Sequence, residues 1–248
     1  MEPEVYEELF RLEDEHWWFL GQRNIVAGLI EKYAGLDSNQ TILDVGCGTG
    51  GTTHFLSRYG QVYGADYSSL ALTFCQQRGL PRLVQTSAAQ LPFVSGTFSL
   101  VTVLGVLYHR GVEDDLQVLR ECYRILSSGG HLLVSEPAYH FLWSEHDVAE
   151  HSGRRYTATQ LRGRVAAAGF EVEKVSYSNS LLFPGVAIVR LWRRFFSSHD
   201  HPQSDVKPLP PFLNHLLAAL YSLEAPLVSS RWLELPFGSS VVCMAVKR

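Results

Sequence analysis

The stretch Thr41-Ile42-Leu43-Asp44-Val45-Gly46-Cys47-Gly48-Thr49-Gly50-Gly51 constrains this chain more than any other. A short apolar strand, Thr41–Val45, runs straight into a turn holding four glycines, and helix-compatible residues follow through about Tyr59. Glycine reaches backbone conformations that a side chain forbids and lets the main chain approach a ligand closely. Strand, glycine turn and helix in that order make the nucleotide-cofactor turn of a parallel α/β sheet. Two spacings are satisfied at once. Gly46, Gly48 and Gly51 fit GxGxxG, the dinucleotide fingerprint, whereas Gly46, Gly48 and Gly50 fit GxGxG.

The rest of the chain repeats the alternation. Strands are predicted at Val62–Asp66, Arg82–Gln85, Phe98–Leu104, His131–Ser135, Phe170–Tyr177 and Ser240–Val246. Helices are predicted at 3–34, at Ser69–Arg78, through Leu116, Leu119, Tyr123 and Leu126, and from the Thr157/Gln160 capping box to Gly169. Ser127-Ser128-Gly129-Gly130 is expected to break the chain between helix and strand. Such alternation implies a doubly wound, Rossmann-like seven-stranded sheet, mostly parallel with right-handed crossovers. The last strand breaks the pattern and is expected to run antiparallel. Strand-end Asp66 is placed to accept hydrogen bonds from both hydroxyls of a ribose.

Composition narrows the partners. The 248 residues are enough for one domain with a sizeable core. The net charge of −4 gives no general pull toward nucleic acid. Cys47, Cys75, Cys122 and Cys243 form no CxxC pair, so neither a metal site nor a disulfide framework is expected, and a reduced, cytoplasmic setting fits best. The acidic start is unlike a signal peptide. No apolar run is long enough to span a bilayer.

Several segments together resolve the cofactor ambiguity by resemblance. Ile42–Gly50, then Leu91-Pro92-Phe93, Gly96-Thr97-Phe98, Val106-Leu107-Tyr108-His109, and Leu119-Arg120-Glu121 through Leu126–Gly130 resemble the successive motifs of class I S-adenosylmethionine-dependent methyltransferases, in the ubiquinone-biosynthesis-like, methyltransferase type 11 group. The resemblance covers about residues 40–178. It implies a cofactor site in which Asp44, Gly46, Gly48 and Gly50 meet the methionine part of S-adenosylmethionine. Asp66 would hold the ribose, Tyr67 would lie beside the adenine, Ser87 and Ala88 would meet its edge, and Leu104 would lie near the methionyl group. The chain departs from the group at two positions where aspartate is common, Ser87 and Ser99. A serine at 87 offers an uncharged, weaker acceptor to the adenine amino group.

Candidates for the acceptor side follow from topology, because ligands of such sheets sit beyond the carboxyl ends of the strands. Tyr108 and His109 lie past the fourth strand and Glu136 past the fifth. His109 is the first candidate base, since imidazole is suited to proton transfer near neutral pH. Glu136 could orient a hydroxyl, and His151 joins them as a catalytic candidate. The polar segment 144–156 is read as a substrate-shaping loop, with Arg155 (or Arg154) available to an anionic group and Tyr156 beside it. At the N-terminus, Trp17 and its aromatic neighbours could wall the pocket, and Arg23 could pair with the cofactor carboxylate.

The chain therefore divides into an N-terminal helical lid (1–36), a cofactor-binding core (40–178), a helical cap insert (181–236) and a last strand (238–248). In the insert, Ile188, Leu191, Trp192 and Phe195 share one helical face, with Arg190, Arg193 and Arg194 opposite. That helix reads as a cap packed over the site, or as a peripheral membrane contact through residues 186–196. The expected function is methyl transfer to oxygen or carbon of a small, apolar molecule, natural-product or lipid-like. A nicotinamide-dependent oxidoreductase and a non-catalytic cofactor-binding module are the alternatives. Acceptor identity and oligomeric state are not encoded in any feature of the sequence.

Overall fold

The computed structural model describes residues 3–37, 39–196 and 206–248. In chain order these form α1 (Pro3–Leu12), α2 (Trp17–Leu29), β1 (Thr41–Val45), α3 (Gly51–Leu56), β2 (Gln61–Asp66), α4 (Ser69–Gln77), β3 (Leu83–Gln85), β4 (Phe98–Leu104), α5 (Asp115–Ile125), β5 (Leu126–Pro137), α6 (Glu145–Ala149), α7 (Ala158–Ala167), β6 (Glu171–Ser178), α8 (Phe183–Phe196), α9 (Pro211–Ser222), α10 (Ala225–Val228) and β7 (Ser240–Val246). The seven strands make one sheet in the order β3-β2-β1-β4-β5-β7-β6. All pairs are parallel except those of β7, which enters between β5 and β6 antiparallel to both. This is the doubly wound architecture that the alternation implied.

Successive strand residues point to opposite faces, and the core divides accordingly. Leu43, Val45, Val101, Val103, Leu132 and Val134 pack with Leu119 of α5 and Leu161 and Val165 of α7. Ile42, Leu100, Leu133, Val242 and Met244 face the other way, onto Ile25 and Leu29 of α2 and Tyr221 of α9. Each fully buried aliphatic side chain contributes roughly 1.5–3 kcal/mol, which fixes strand register firmly.

Three expectations are corrected. The helix predicted over 3–34 is broken: the chain turns at 13–16, and the His16 side chain caps α2 by accepting from Trp18 N–H at 3.4 Å. The segment 127–130 belongs to β5 rather than separating helix from strand, although it interrupts the ladder with β4, whose next pair is Leu100 with His131. Leu126 already pairs with Phe98, and the C-terminal tail straps the glycines through Gly129 N–H to Lys247 O at 2.7 Å. In the insert, Leu213, Leu216, Leu217 and Leu220 suggest from sequence an apolar face of α9 packed inward, but Leu213 and Leu216 are exposed. Ala218 and Tyr221 turn inward instead, because the Tyr221 ring lies directly against Gly21 of α2.

The second insert helix thus docks on the N-terminal helices. Asn214 accepts from Trp17 N–H at 2.8 Å and donates to Glu15 O at 2.7 Å. The apolar face of α8 is exposed at Ile188 and Trp192, so it does not pack as a buried cap. The side chains of 193–196 and most of the polar linker expected at Ser197–Pro211 lie outside the described residues.

Candidate active site

β1 and β2 carry the glycine turn and the aspartate to the same edge of the sheet. Gly46 and Cys47 N–H both donate to Ala65 O, at 2.7 and 3.1 Å, which folds the turn back over β2. Gly48 N–H then reaches one Asp66 oxygen at 2.9 Å, and Ser68 N–H reaches the other at 2.9 Å. Tyr67 N–H adds a further contact, and the carboxylate, which accepts through about four lone-pair sites, keeps some acceptor capacity. Burial pushes the Asp66 carboxyl above its ordinary range, opposed by those same N–H groups.

The glycines differ in purpose. Gly46 has φ +71, and a Cβ there would lie 2.3 Å from Val106 Cγ2, so its bareness serves packing. Gly48 has φ +54, and a Cβ there would meet no protein atom within 4 Å. Its bareness faces open space beside Asp66, where a ligand would lie. Asp44 is used differently from expectation. It is 3% exposed, and its two oxygens accept from the Thr53 and Thr102 hydroxyls at 2.7 Å each. It positions the turn from below, and burial pushes its carboxyl up to about 6.

Arg23 is buried near Glu13 and Asp14, and its Nε has no hydrogen-bond partner. An orphaned buried donor of this kind is costly unless something satisfies it. A carboxylate-bearing cofactor would do so. Together with the open cradle at Gly48 and the strand-end Asp66, the donor set fits S-adenosylmethionine. Tyr67 is 80% exposed at the rim. Ser87 is exposed, and with Ala89, Val112, Asp114 and Gln117 it lines a cleft of about 280 Å³. Ala88 is half-buried against the core. Leu104 and Trp17 are brought together against the Ile25–Tyr221 cluster.

On the acceptor side, Glu136 has a different task from the one expected. It is 1% exposed and accepts from Val106, Leu107 and Tyr108 N–H at 3.1, 2.9 and 3.1 Å. Burial pushes it up to about 8 against those three donors. It fixes the turn after β4 rather than facing a substrate. The His109 ring accepts from Gly111 N–H through Nδ1 at 3.0 Å. That places the neutral proton on Nε2, so the exposed nitrogen is a donor and not a base. Burial lowers its pKa, which keeps the ring neutral. The His109 and His151 rings stack 6.1 Å apart.

The loops 106–112 and 147–156 are stitched together. Gly153 N–H donates to Tyr108 O at 2.7 Å, and Arg110 N–H to His151 O at 2.9 Å. Arg155 is turned inward: Nε and Nη2 grip Asp147 at 2.7 and 2.9 Å, and Nη1 reaches Ala138 O at 2.8 Å. Tyr156 is also buried, donating to Asp115 at 2.8 Å. Both shape the loop from within, away from any open pocket. Tyr108 is half-buried, with its hydroxyl 3.5 Å from Glu150, and burial raises its pKa.

Three residues of the site escaped the sequence reading: Tyr6, Glu13 and Arg78. Glu13 accepts from the Thr49 hydroxyl, from Gly51 N–H at 3.1 Å and from Arg78 at 2.8 Å. Tyr6 lies next to Ser68 and within electrostatic reach of Asp66 and Glu150. Nothing local marks these residues. Glu13 sits in an ordinary acidic run and Arg78 at an ordinary helix end, and only the fold brings them to the turn.

Fold and site define the class. Among solved structures, a possible histamine N-methyltransferase from Thermotoga maritima superposes with a TM-score of 0.58 at 18% identity, over 98% of this chain and 99% of that one. Residues 43–134 match the family model described as a methyltransferase domain. The chain is similar to the demethylmenaquinone methyltransferase of Lactiplantibacillus plantarum, 37% identical over 41% of this chain and 46% of that protein. It is also similar to a probable S-adenosylmethionine-dependent methyltransferase of Mycolicibacterium smegmatis, 29% identical over 65% of this chain and 62% of that protein. The matched stretch therefore spans about half to three-fifths of these relatives.

Proposed function

We propose that the chain is an S-adenosylmethionine-dependent methyltransferase acting on carbon or oxygen of a small, apolar molecule. The observation that carries this choice over a nicotinamide enzyme is the place of Glu13. In a dinucleotide-binding fold the pyrophosphate sits at the start of the helix after the glycine turn. Here that position, at Gly51 N–H and the Thr49 hydroxyl, is filled by the chain's own carboxylate. A pyrophosphate would have to displace it, against charge repulsion. A cofactor with a sulfonium and no phosphate does not need that position, and Arg23 next to Glu13 offers its one carboxylate a counter-charge.

In this reading Asp66 clasps the ribose, the Gly48 cradle receives the methionine chain, and Arg23 Nε meets its carboxylate. Bound S-adenosylmethionine supplies a methyl group already activated on sulfur. The protein's task is then placement, which alone can be worth effective molarities of order 10⁵–10⁸ M. Glu136 holds the backbone of 106–108 at the end of β4, Tyr108 and Glu150 line the acceptor side, and His109 offers an Nε2–H donor to an acceptor oxygen. The similarity to a protein named for acting on demethylmenaquinone favours carbon of a quinol-like ring as the target. The lid (1–36), core (40–178), cap (181–236) and last strand (238–248) are proposed as parts of one domain.

Among the described residues no helix is long and apolar enough to cross a membrane. The exposed Ile188, Val189 and Trp192 of α8 support a peripheral membrane contact through which an apolar acceptor would be collected. The four free, buried cysteines suit a reducing, cytoplasmic setting. The test of the function is transfer of labelled methyl from S-adenosylmethionine into organic extracts, using naphthoquinols, hydroquinones and phenols as acceptors. Label in the extract with matching S-adenosylhomocysteine is expected. Binding of cofactor with no label in any acceptor would favour a non-catalytic module. Co-sedimentation with anionic vesicles tests the membrane contact, and absence of binding removes it.

A further inference from the structure

α1 runs beside the glycine turn and is fastened at its C-terminal end. Near its start, Tyr6 lies next to Ser68 and within electrostatic reach of Asp66. Just past its end, Glu13 is bonded to Thr49, Gly51 and Arg78. Seven residues of helical rise make that span about 10 Å. The strap therefore bridges the two strand ends, β1 and β2, that carry the glycine turn and the aspartate.

Arg78, at the end of α4, is the post to which the strap is fastened. Its Nε donates to Thr49 O at 2.8 Å, Nη1 to Asp14 at 2.6 Å, and Nη2 to Phe10 O at 3.2 Å and to Glu13 at 2.8 Å. The guanidinium also lies over the Phe10 ring, 4.7 Å from its centre, and Phe10 packs on Phe74 at 5.0 Å. One side chain thus joins the lid helix, the glycine turn and α4. A ligand held between Gly48 and Asp66 would lie next to this strap.

We propose that Glu13 and Arg78 form a latch holding α1 closed over the cofactor cleft, and that release of the latch sets the rate at which S-adenosylmethionine enters and its demethylated product leaves. The proposal rests on the reading of this cleft as the S-adenosylmethionine site. A latch needs a bond that can open. A desolvated ion pair roughly balances its desolvation cost against its attraction, so it orients the strap without locking it. Burial also raises the proton affinity of Glu13, in keeping with an anion that gains only modestly from closure. Glu13 and Arg78 act on the lid and on the turn, so they are positioning residues.

The test compares wild type with Glu13→Gln and Phe10→Ala, the second variant loosening the strap without touching the turn. Stopped-flow tryptophan fluorescence gives association and dissociation rates for S-adenosylhomocysteine. Amide exchange of residues 3–12 is followed in the ligand-free protein. Both variants should raise association and dissociation rates together, by about tenfold, the effect of losing one charge-assisted bond or its packing support. The equilibrium constant should move far less. Exchange in α1 should quicken in both. Faster dissociation with unchanged association would mean that Glu13 merely shapes the turn, and overturns the latch. So would unchanged α1 exchange, whatever the ligand does. If wild type fails to bind S-adenosylhomocysteine while α1 exchange still quickens in the variants, the cofactor reading falls and the strap itself stands.

Discussion

Gly46 and Gly48 are two residues apart in one turn, yet a methyl group added to each should do different damage. At Gly46 the new Cβ lies 2.3 Å from Val106, so Gly46→Ala is expected to cost about 2–4 kcal/mol in overpacking and backbone strain, visible as a lower melting temperature. At Gly48 there is no protein atom to strike, so Gly48→Ala should cost about 1 kcal/mol of strain but weaken S-adenosylhomocysteine by tenfold or more in calorimetry. Equal binding by Gly48→Ala and wild type would mean that the cradle is not a ligand site. Asp44 offers a pH test. Its folded pKa is raised to about 6, so the folded state keeps a proton that the unfolded chain loses near 4. The stabilisation is complete below the unfolded value and is lost as pH rises through the folded one. Asp44→Asn removes that loss, and its amide can serve both threonines. The variant should be more stable than wild type by about 2–3 kcal/mol at pH 7.5, with the difference closing below about pH 4 in denaturant titrations. Both glycines and Asp44 were legible in the sequence as a set. Their separate tasks were not, because the atoms that distinguish them, Val106, Thr53 and Thr102, come from other elements.

Helices and strands were readable where local signals are strong. The Thr157/Gln160 capping box is present in full at the start of α7, and Asp114 caps α5. The N-terminal break was missed because Glu13 to His16 contain no glycine or proline, and the turn is imposed by long-range contacts of Glu13. The 144–156 segment was misjudged for a related reason. Its arginines looked available for an anionic substrate, but Arg155 spends its donors on buried Asp147, whose carboxyl that guanidinium holds below its usual range in spite of burial. Removing one partner of a buried pair leaves the other charge stranded, so Arg155→Ala should cost about 3–5 kcal/mol by thermal melting. A variant with wild-type melting and only a raised acceptor KM would restore the substrate-binding reading. Glu136→Ala should likewise lose about 2–5 kcal/mol, since three buried N–H groups lose their acceptor.

At the scale of the whole molecule, alternation and handedness imply a doubly wound, mostly parallel sheet, which is why its class could be read without coordinates. The order β3-β2-β1-β4-β5-β7-β6, in contrast, depends on pairings far apart in sequence. The acceptor side could not be read, because its candidate residues lie on loops, which carry no periodic signature. The leucines of α9 point outward and a tyrosine packs in, contrary to the amphipathic pattern. At the centre stands one clasp, the glycine turn with Asp66, and beside it the Glu13 carboxylate occupies Gly51 N–H and the Thr49 hydroxyl, from which a phosphate would have to displace it. The most direct check is calorimetric titration of the full chain with S-adenosylhomocysteine and, separately, with NADH, each paired with a melting curve. One saturable site for S-adenosylhomocysteine with a raised melting temperature, and no heat from NADH, is the predicted result. Saturable NADH binding with no response to S-adenosylhomocysteine would contradict it.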